Sequence, residues 1–534
     1  VEPEPEPDPE PDPRWSVALA DLLHERVERT PDAVALYDDL DRTLTFGQLD
    51  THSRALAGEL SAAGVGSGTR VAWQLPTWSE TVILICALCR LGATQIPLPY
   101  AYRAQEVRTV VGQTDADLLI TPGVWRDYDY QEMVTQLHPQ VPRLRHLTLD
   151  RGDLDARPWF RDPPLLAPPG HHQELGAAVR WVFFTSGTAG APKGARHTDR
   201  SLTVPATTMA DAFELTEADR SAIAFPLGHV GGVAWLVASL QSGCSLLLAE
   251  RLDDASIDRF ADQGVTLAGV STAFHLAYRD RARATGRRLF PQVRAYPGGA
   301  ATKPPTLHAE LRQEIGGVGI VSGYGLTECP MISMATVRDP DDKLAATEGR
   351  PGPGVVVEVR DPATGQPVPP GGEGELWVRG PQLFAGYVNA ADTDAAMDER
   401  GFFRTGDLGR LDDEGYVVIT GRLKDVIIRK GENISAKEVE DHLYTHPDVA
   451  DVAVVGVPDD RVGERCCAVV VMRAGCGPLD RRAAGEHLQG RGLMVQKWPE
   501  QVLVVDALPR NAAGKVLKGD LVRLLSSAPD TEER

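Results

Sequence analysis

The stretch Thr185-Ser-Gly-Thr-Ala-Gly-Ala-Pro-Lys193-Gly194 packs hydroxyls, glycines and one lysine into a short span. Glycines let backbone N–H groups turn toward an anion, hydroxyls add donors, and a lysine supplies compact positive charge. Thr185, Ser186, Gly187, Thr188, Gly190 and Lys193 therefore read as a phosphate cradle. The spacing is not that of a Walker A loop, which needs glycine directly before its lysine and Ser or Thr directly after; here Pro192 precedes and Gly194 follows. Taken alone, the stretch also fits an ordinary polar turn.

Such a loop has to be delivered by a buried element. The preceding apolar run Trp181-Val-Phe-Phe184 reads as a strand. Upstream, helical signals at Ala18 to Arg29, a strand at Ala33 to Tyr37, a turn and helix at Leu44 to Ala57, a strand at Arg70 to Leu75 and a helix at Thr81 to Arg90 alternate in the manner of parallel α/β layers. The alternation continues through Leu118 to Thr121 and Leu144 to Leu149, then past the loop through Ala222 to Phe225, Ser245 to Leu248, Gly264 to Ala268 and Gly319 to Val321. After about Thr347 the runs become short and Gly/Pro-punctuated, which predicts a small β subdomain. Beyond Lys424 a compact mixed region, with a helix at Ala436 to His446 and strands at Val452 to Val457 and Cys467 to Met472, predicts a separate α+β lid.

The expected organisation is a disordered acidic Pro-rich tail at 1–13, a large α/β domain of two layers at 14–422 with the β subdomain from about 347, a small mobile lid at 424–526 and a tail at 527–534. A chain of 534 residues, 42% of them hydrophobic, can supply cores of that size. The net charge of −20 opposes a surface adapted to nucleic acid or anionic lipid. No apolar run approaches the roughly 20 residues that span a bilayer, and no signal peptide is legible, so the sequence predicts a cytoplasmic protein. Of seven cysteines, Cys86 and Cys89 form a C-x-x-C pair, but within an apolar helical run and without a second ligand pair; packing is the expected role.

Beyond the loop, several separated segments follow in a fixed order: Phe225-Pro-Leu-Gly-His229, Gly298-Gly-Ala300, Gly323-Tyr-Gly-Leu-Thr-Glu328, Gly349-Arg-Pro351, Gly374-Glu-Leu376, Arg404-Thr-Gly-Asp-Leu408, Gly421-Arg-Leu-Lys-Asp425, Gly431-Glu-Asn-Ile434 and Pro509-Arg-Asn-Ala-Ala-Gly-Lys515. As an ordered set they resemble the adenylate-forming superfamily of acyl-CoA synthetases, adenylation domains and luciferase. The resemblance implies attack of a carboxylate on the α-phosphate of ATP, then capture of the acyl group by a thiol, with catalysis supplied by positioning and charge neutralisation. It implies that the opening loop holds the β- and γ-phosphates, with Ala189 standing where the family often has a second Thr. Gly299 and Ala300 would border the nucleotide, Tyr324 would stack on adenine, Thr327 would touch the α-phosphate and Glu328 would hold Mg²⁺. Asp407 and Arg422 would take the ribose, Lys515 would be the catalytic lysine, Lys424 the hinge, and Lys430 and Gly431 would border the tunnel for CoA. Singly, each has a plainer reading: a core aromatic for Tyr324, a solvated acid for Glu328, a turn former for Asp407, a solvated terminal lysine for Lys515.

By the same resemblance, amino-acid activators carry an Asp after the aromatic residue of the Phe225 segment, where this chain has His229-Val230. Valine cannot hold an ammonium, and His229 is expected to gate the carboxylate. The segments expected to wall the acyl pocket, Phe225 to Leu240, Val265 to His275 and Ile320 to Thr336, contain Glu328 as their only Asp, Glu, Lys or Arg. An uncharged acyl tail is therefore expected, since a buried unpaired charge is costly. Val230, Gly231, Gly269, Phe274, Gly298 and Gly323 are the expected lining, with Gly231, Gly232, Gly269, Gly298, Gly299 and Gly323 leaving room for a medium-chain, alicyclic or aromatic acid. The thiol segments look most like medium-chain and cyclohexanecarboxylate-type CoA ligases. A stand-alone enzyme loading a carrier protein shares nearly the same motifs, and a nucleotide-binding pseudoenzyme is a third reading. Oligomeric state is not legible.

Overall fold

The computed structural model describes residues 12–152, 178–185, 192–269, 271–299, 301, 303–429, 432–459, 461–511 and 514–527. A six-stranded sheet runs in the order Lys193–Thr198, Val179–Thr185, Thr94–Pro97, Arg70–Trp73, Leu118–Thr121, Arg145–Thr148. All neighbours are parallel except the first pair, an antiparallel hairpin in which Lys193 faces Thr185. The second sheet orders Arg220–Ile223, Ser245–Leu248, Val34–Tyr37 and Thr43–Thr45, and a third begins Tyr296–Gly298, Ile320–Tyr324. Parallel bridges Ser221 to Leu267 and Leu267 to Ala295 join the two into one layer. The sequence segment at Gly264 to Ala268 is that joint rather than a full strand.

Helices cover both layers because their apolar faces need a partner. Ser79–Leu91 is buried nearly all round and its Cys86 and Cys89 are free thiols in the core, Cys86 pushed up to about 12 by burial; neither is poised for redox or metal chemistry. Among the described residues no helix is long and apolar enough to cross a membrane. The expected β subdomain appears as an antiparallel sheet of Val356–Arg360, Gly374–Arg379, Phe403–Leu411 and Val417–Arg422. After the short turn Leu423–Asp425 comes the C-terminal α+β unit, where the long hairpin Val449–Asp459 with Gly463–Met472 is joined by Val426–Arg429, Glu432–Ser435 and Gln501–Val504. Its core of Val439, Leu443, Val452, Val454, Ala468 and Val470 is separate from that of the large domain. The acidic tail through Pro11, and the segment 153–177, lie outside the described residues.

Candidate active site

The opening loop joins two paired strands, not a strand and a helix, which separates it structurally from a Walker A loop. Ser186, Gly187, Thr188, Ala189 and Gly190 lie outside the described residues, as do Ala300, Lys430 and Gly431. Its two flanks are in place. Lys193 reaches Asp392 Oδ1 at 2.8 Å and stands 5.3 Å from the centroid of the Tyr387 ring. Gly194 is walled in: a Cβ there would lie 2.8 Å from Phe184, 2.9 Å from Val388 and 3.0 Å from Val182.

The outer edge of the Lys193–Thr198 strand is closed by residues 385–388. Val388 N–H donates to Gly194 O at 2.8 Å, Arg196 N–H to Gly386 O at 3.0 Å and Ala385 N–H to Arg196 O at 2.7 Å. That pairing sets Tyr387, whose hydroxyl donates to Glu328 Oε1 at 2.6 Å. Burial and the neighbouring carboxylate push the Tyr387 phenol above its ordinary range. Glu328, only 9% exposed, is thus held against the strand that carries Lys193.

Tyr324, at the end of the Ile320–Tyr324 strand, donates its hydroxyl to Asp407 Oδ2 at 2.7 Å. Asp407, 3% exposed, sits opposite Arg422 in the antiparallel ladder and is ion-paired with it. Gly406 takes a left-handed φ of 69° as the chain turns into Asp407, and its N–H donates to Glu375 Oε1 at 3.1 Å. The pair expected to face a ribose is therefore already mutually neutralised and braced by an aromatic ring. Lys424 follows in the Leu423–Asp425 turn, where the chain passes from the Val417–Arg422 strand into the C-terminal unit.

Lys515 is brought to the same place from the far end of the chain. The preceding Gly514 packs onto the start of the Thr272–Thr285 helix, with its Cβ direction 3.0 Å from both Ala273 Cβ and Ser271 Oγ and 3.9 Å from Phe274. Lys515 keeps solvent access, and its ammonium is lowered to about 8, first by partial dehydration among the surrounding groups, then by Arg422 and Lys424, with Asp407 and Asp425 opposing. Its loop is braced within the lid: Arg510 donates to Gly514 O at 2.6 Å and pairs with Asp451 at 2.5 Å, and Asp451 accepts from Tyr444 at 2.6 Å. His229 is the N-cap of Val230–Ser242, its Nδ1 accepting from Gly231 N–H at 3.2 Å. His229 keeps solvent access, yet dehydration by the surrounding protein, and then the Lys515 charge, lower its basicity; with Nδ1 accepting from Gly231, Nε2 is the nitrogen left to carry the proton of the neutral ring.

The structure corrects one part of the pocket reading. Gly232, Gly269, Gly298, Gly299 and Gly323 do not hold space open: a Cβ would meet Leu227 at 2.7 Å, Pro297 at 2.7 Å, Ile320 at 2.6 Å, Gly323 O at 2.7 Å and Met334 at 2.7 Å respectively. Their lack of a side chain lets strands and loops approach closely. Gly231 differs, with His229 Nδ1 at 3.5 Å and Phe225 at 3.9 Å in ordinary contact. Val230 and Phe274 are buried at 5% and 6% exposure. A lysine outside the three wall segments, Lys303, is engaged: its Nζ donates to Leu344 O at 2.6 Å, Ser322 Oγ at 3.3 Å and Thr347 O at 3.4 Å. Tyr387, Asp392 and the buried His197 escaped the sequence reading; an aromatic after a glycine in Gly386-Tyr387-Val388-Asn389 was the only local signal, and Asp392 gave none.

Two α/β layers, a β subdomain and a docked lid that carries its lysine to a nucleotide-type carboxylate define an ATP-dependent adenylate-forming ligase. The AMP-binding enzyme family model matches residues 23–388, and that of the AMP-binding enzyme C-terminal domain matches 438–515; the chain belongs to this family, in its acyl-CoA synthetase group. A medium-chain fatty-acid–CoA ligase of Escherichia coli (strain K12) is 32% identical over 524 residues, covering 95% of this chain and 91% of its own. A salicyl-AMP ligase / salicyl-S-ArCP synthetase of Mycobacterium tuberculosis (strain ATCC 25618 / H37Rv) is 31% identical over 537 residues, covering 97% and 93%. The ATP-bound structure of MatB from Rhodopseudomonas palustris superposes with a TM-score of 0.83 at 27% identity, covering 95% of this chain and 99% of that one.

Proposed function

We propose that the protein is a carboxylic acid:CoA ligase acting on an uncharged, mainly apolar acid. The observation that carries the reading is the docking of the Gly514–Lys515 turn on Ser271 and Ala273, which brings a lysine of lowered basicity beside His229, Asp407 and Arg422. In the first half-reaction a carboxylate oxygen bonds to the α-phosphorus of ATP as the bond to the β-bridging oxygen breaks, and pyrophosphate leaves. Lys193 and the Thr185 loop hold the departing phosphates, Thr327 and Lys515 meet the α-phosphate, and Tyr324, Asp407 and Arg422 hold the nucleoside. Neutral His229 gates the carboxylate at the N-terminus of its helix, an end that favours anions.

Mg²⁺ fits this site as an ion that arrives with the nucleotide. Among the described residues there is no cluster of three or more metal-ligating side chains, whereas Glu328 offers one buried, braced carboxylate, and Mg²⁺ is commonly held by one or two carboxylates plus substrate phosphates. It would neutralise phosphate charge. In the second half-reaction the sulfur of CoA attacks the acyl carbon and AMP leaves, after the lid, taken as 424–526, turns about Lys424 to bring Lys430 and Gly431 to the thiol path. The three wall segments carry no Lys or Arg to pair a second carboxylate, which supports a monocarboxylic acid.

A stand-alone enzyme loading a carrier protein is the second reading, favoured by the near-equal identity to a salicyl-S-ArCP synthetase. Pyrophosphate release across octanoate, cyclohexanecarboxylate, benzoate, malonate and an α-amino acid, with and without CoA, tests both. The expected result is turnover with an uncharged monocarboxylate and acyl-CoA formation. Adenylation without any thioester to CoA supports the carrier reading, and preference for malonate or the amino acid refutes the pocket argument. Lys515→Ala should lower adenylation by about 100-fold or more while thioester formation from supplied acyl-adenylate survives; equal loss of both in a folded variant refutes the role of Lys515.

A further inference from the structure

The Lys193–Thr198 strand carries a second polar residue that the reaction above does not use. His197 is fully buried at 0% exposure, on the inward side of a strand whose other inward rung is Ala195. Inward positions of a covered sheet are ordinarily apolar, so a histidine here needs a partner. Its Nε2 lies 2.8 Å from the backbone oxygen of Thr327, 130 residues away in the chain. A carbonyl oxygen only accepts, so Nε2 carries the proton and Nδ1 is the acceptor, 2.9 Å from the hydroxyl of Ser201. Ser201 is itself fixed inside the capping box of the Asp199–Phe213 helix: its Oγ receives Thr198 N–H at 3.0 Å and lies 2.9 Å from Thr198 O, so its one hydroxyl proton is shared between that carbonyl and His197 Nδ1.

The next peptide is tied to the same edge. The backbone oxygen of Glu328 accepts from Phe384 N–H at 2.8 Å, and Ala385, next along, donates to Arg196 O at 2.7 Å. Both carbonyls of the Thr327–Glu328 pair are thus anchored on the strand that begins with Lys193 or on the segment paired to it. We propose that His197 is a positioning residue: its Nε2–H fixes the Thr327 carbonyl inward, and so sets where the Thr327 hydroxyl and the Glu328 carboxylate stand relative to Lys193. The inference rests on the reading of Thr327 and Glu328 as the α-phosphate and magnesium contacts. Burial holds His197 down to about 4, so the ring stays neutral and keeps one tautomer through the range in which the enzyme would be assayed.

The test compares His197→Gln, which keeps an N–H near the Nε2 position, with His197→Leu, which keeps volume without a donor, and Ser201→Ala, which removes the partner that holds the ring from its Nδ1 side. Each is checked for folding by thermal melting and assayed well below its midpoint. Calorimetric affinity for α,β-methylene-ATP is measured with and without Mg²⁺, beside acid-dependent ATP–pyrophosphate exchange. For His197→Leu we expect about a tenfold loss in the Mg²⁺-dependent part of nucleotide affinity and a similar fall in kcat, with KM for the acid unchanged. His197→Gln should stay within about threefold of wild type, and Ser201→Ala should fall between the two. A purely structural role would lower the melting midpoint while leaving the Mg²⁺ dependence at the wild-type value, and that result overturns the proposal. So does a folded His197→Gln as impaired as His197→Leu. If His197→Leu does not fold, Ser201→Ala decides: unchanged Mg²⁺ dependence overturns the proposal, and a reduced one with His197→Gln preserved supports it. Absence of acid-dependent exchange in the wild type would instead remove the adenylation reading itself.

Discussion

Raising the pH should remove the reacting cation long before it unfolds the chain. The Lys515 ammonium is lowered from 10.5 to about 8 by partial dehydration first, and then by Arg422 and Lys424. With that value about nine in ten molecules carry the charge at pH 7 and about one in ten at pH 9. The kcat/KM for acid-dependent pyrophosphate exchange should therefore fall about tenfold between pH 7 and 9 along a single-proton limb, because this parameter reports the free enzyme. In kcat the limb should lie at higher pH, since bound phosphates favour the charged lysine. The neighbours supply signed controls. Asp425→Asn removes a group that raises the lysine and should move the limb down; Lys424→Ala removes one that lowers it and should move the limb up. Lys515→Arg, charged throughout, should show a flat profile on whatever activity it retains. A limb of unchanged midpoint in Lys515→Arg would assign the titration to another group and refute the reasoning. Docking of the lid runs the other way: the undocked lysine binds its proton more tightly, so between about pH 8 and 10.5 docking grows more favourable as pH rises.

Two further outcomes follow from packing. Gly194→Ala forces a methyl into Phe184, Val388 and Val182 and should destabilise by about 1–3 kcal/mol in denaturant titration, with KM for ATP raised because Lys193 is the adjacent residue. Asp451→Asn weakens the brace from Tyr444 through Arg510 to Gly514 and should cost about 1–3 kcal/mol; adenylation should fall more than thioester formation from supplied acyl-adenylate, and an equal fall would show that the brace does not serve Lys515.

Much of the scaffold was legible because apolar runs are local. Leu118–Thr121 and Ser245–Leu248 stand where their hydrophobic runs place them, and the Ser79–Leu91 helix extends its predicted span by a residue or two at each end. Leu44 and Thr45 fall inside the turn and helix expected at Leu44 to Ala57 but belong to the strand Thr43–Thr45; a three-residue edge strand leaves no period, and it forms by pairing with Val34–Tyr37. The glycines of the pocket were legible as glycines but not as packing residues, since what a missing Cβ avoids is a neighbour such as Pro297 or Ile320, invisible without the fold.

The sequence by itself determined the alternation of elements, the order of the polar segments and the chemistry available to Lys193, Glu328, Asp407, Arg422 and Lys515, because residue type and short spacing carry that information. Only the tertiary structure decided which groups pair with one another: Lys193 with Asp392 and Asp407 with Arg422 as ion pairs, Glu328 with Tyr387, Asp407 with Tyr324 and the Thr327 carbonyl with His197 as hydrogen bonds. It also decided that the lid's Gly514 rests on Ser271 and Ala273. The physical reason is that a burial or an ion pair depends on what the chain brings alongside from far away in sequence, and no local period encodes that neighbour.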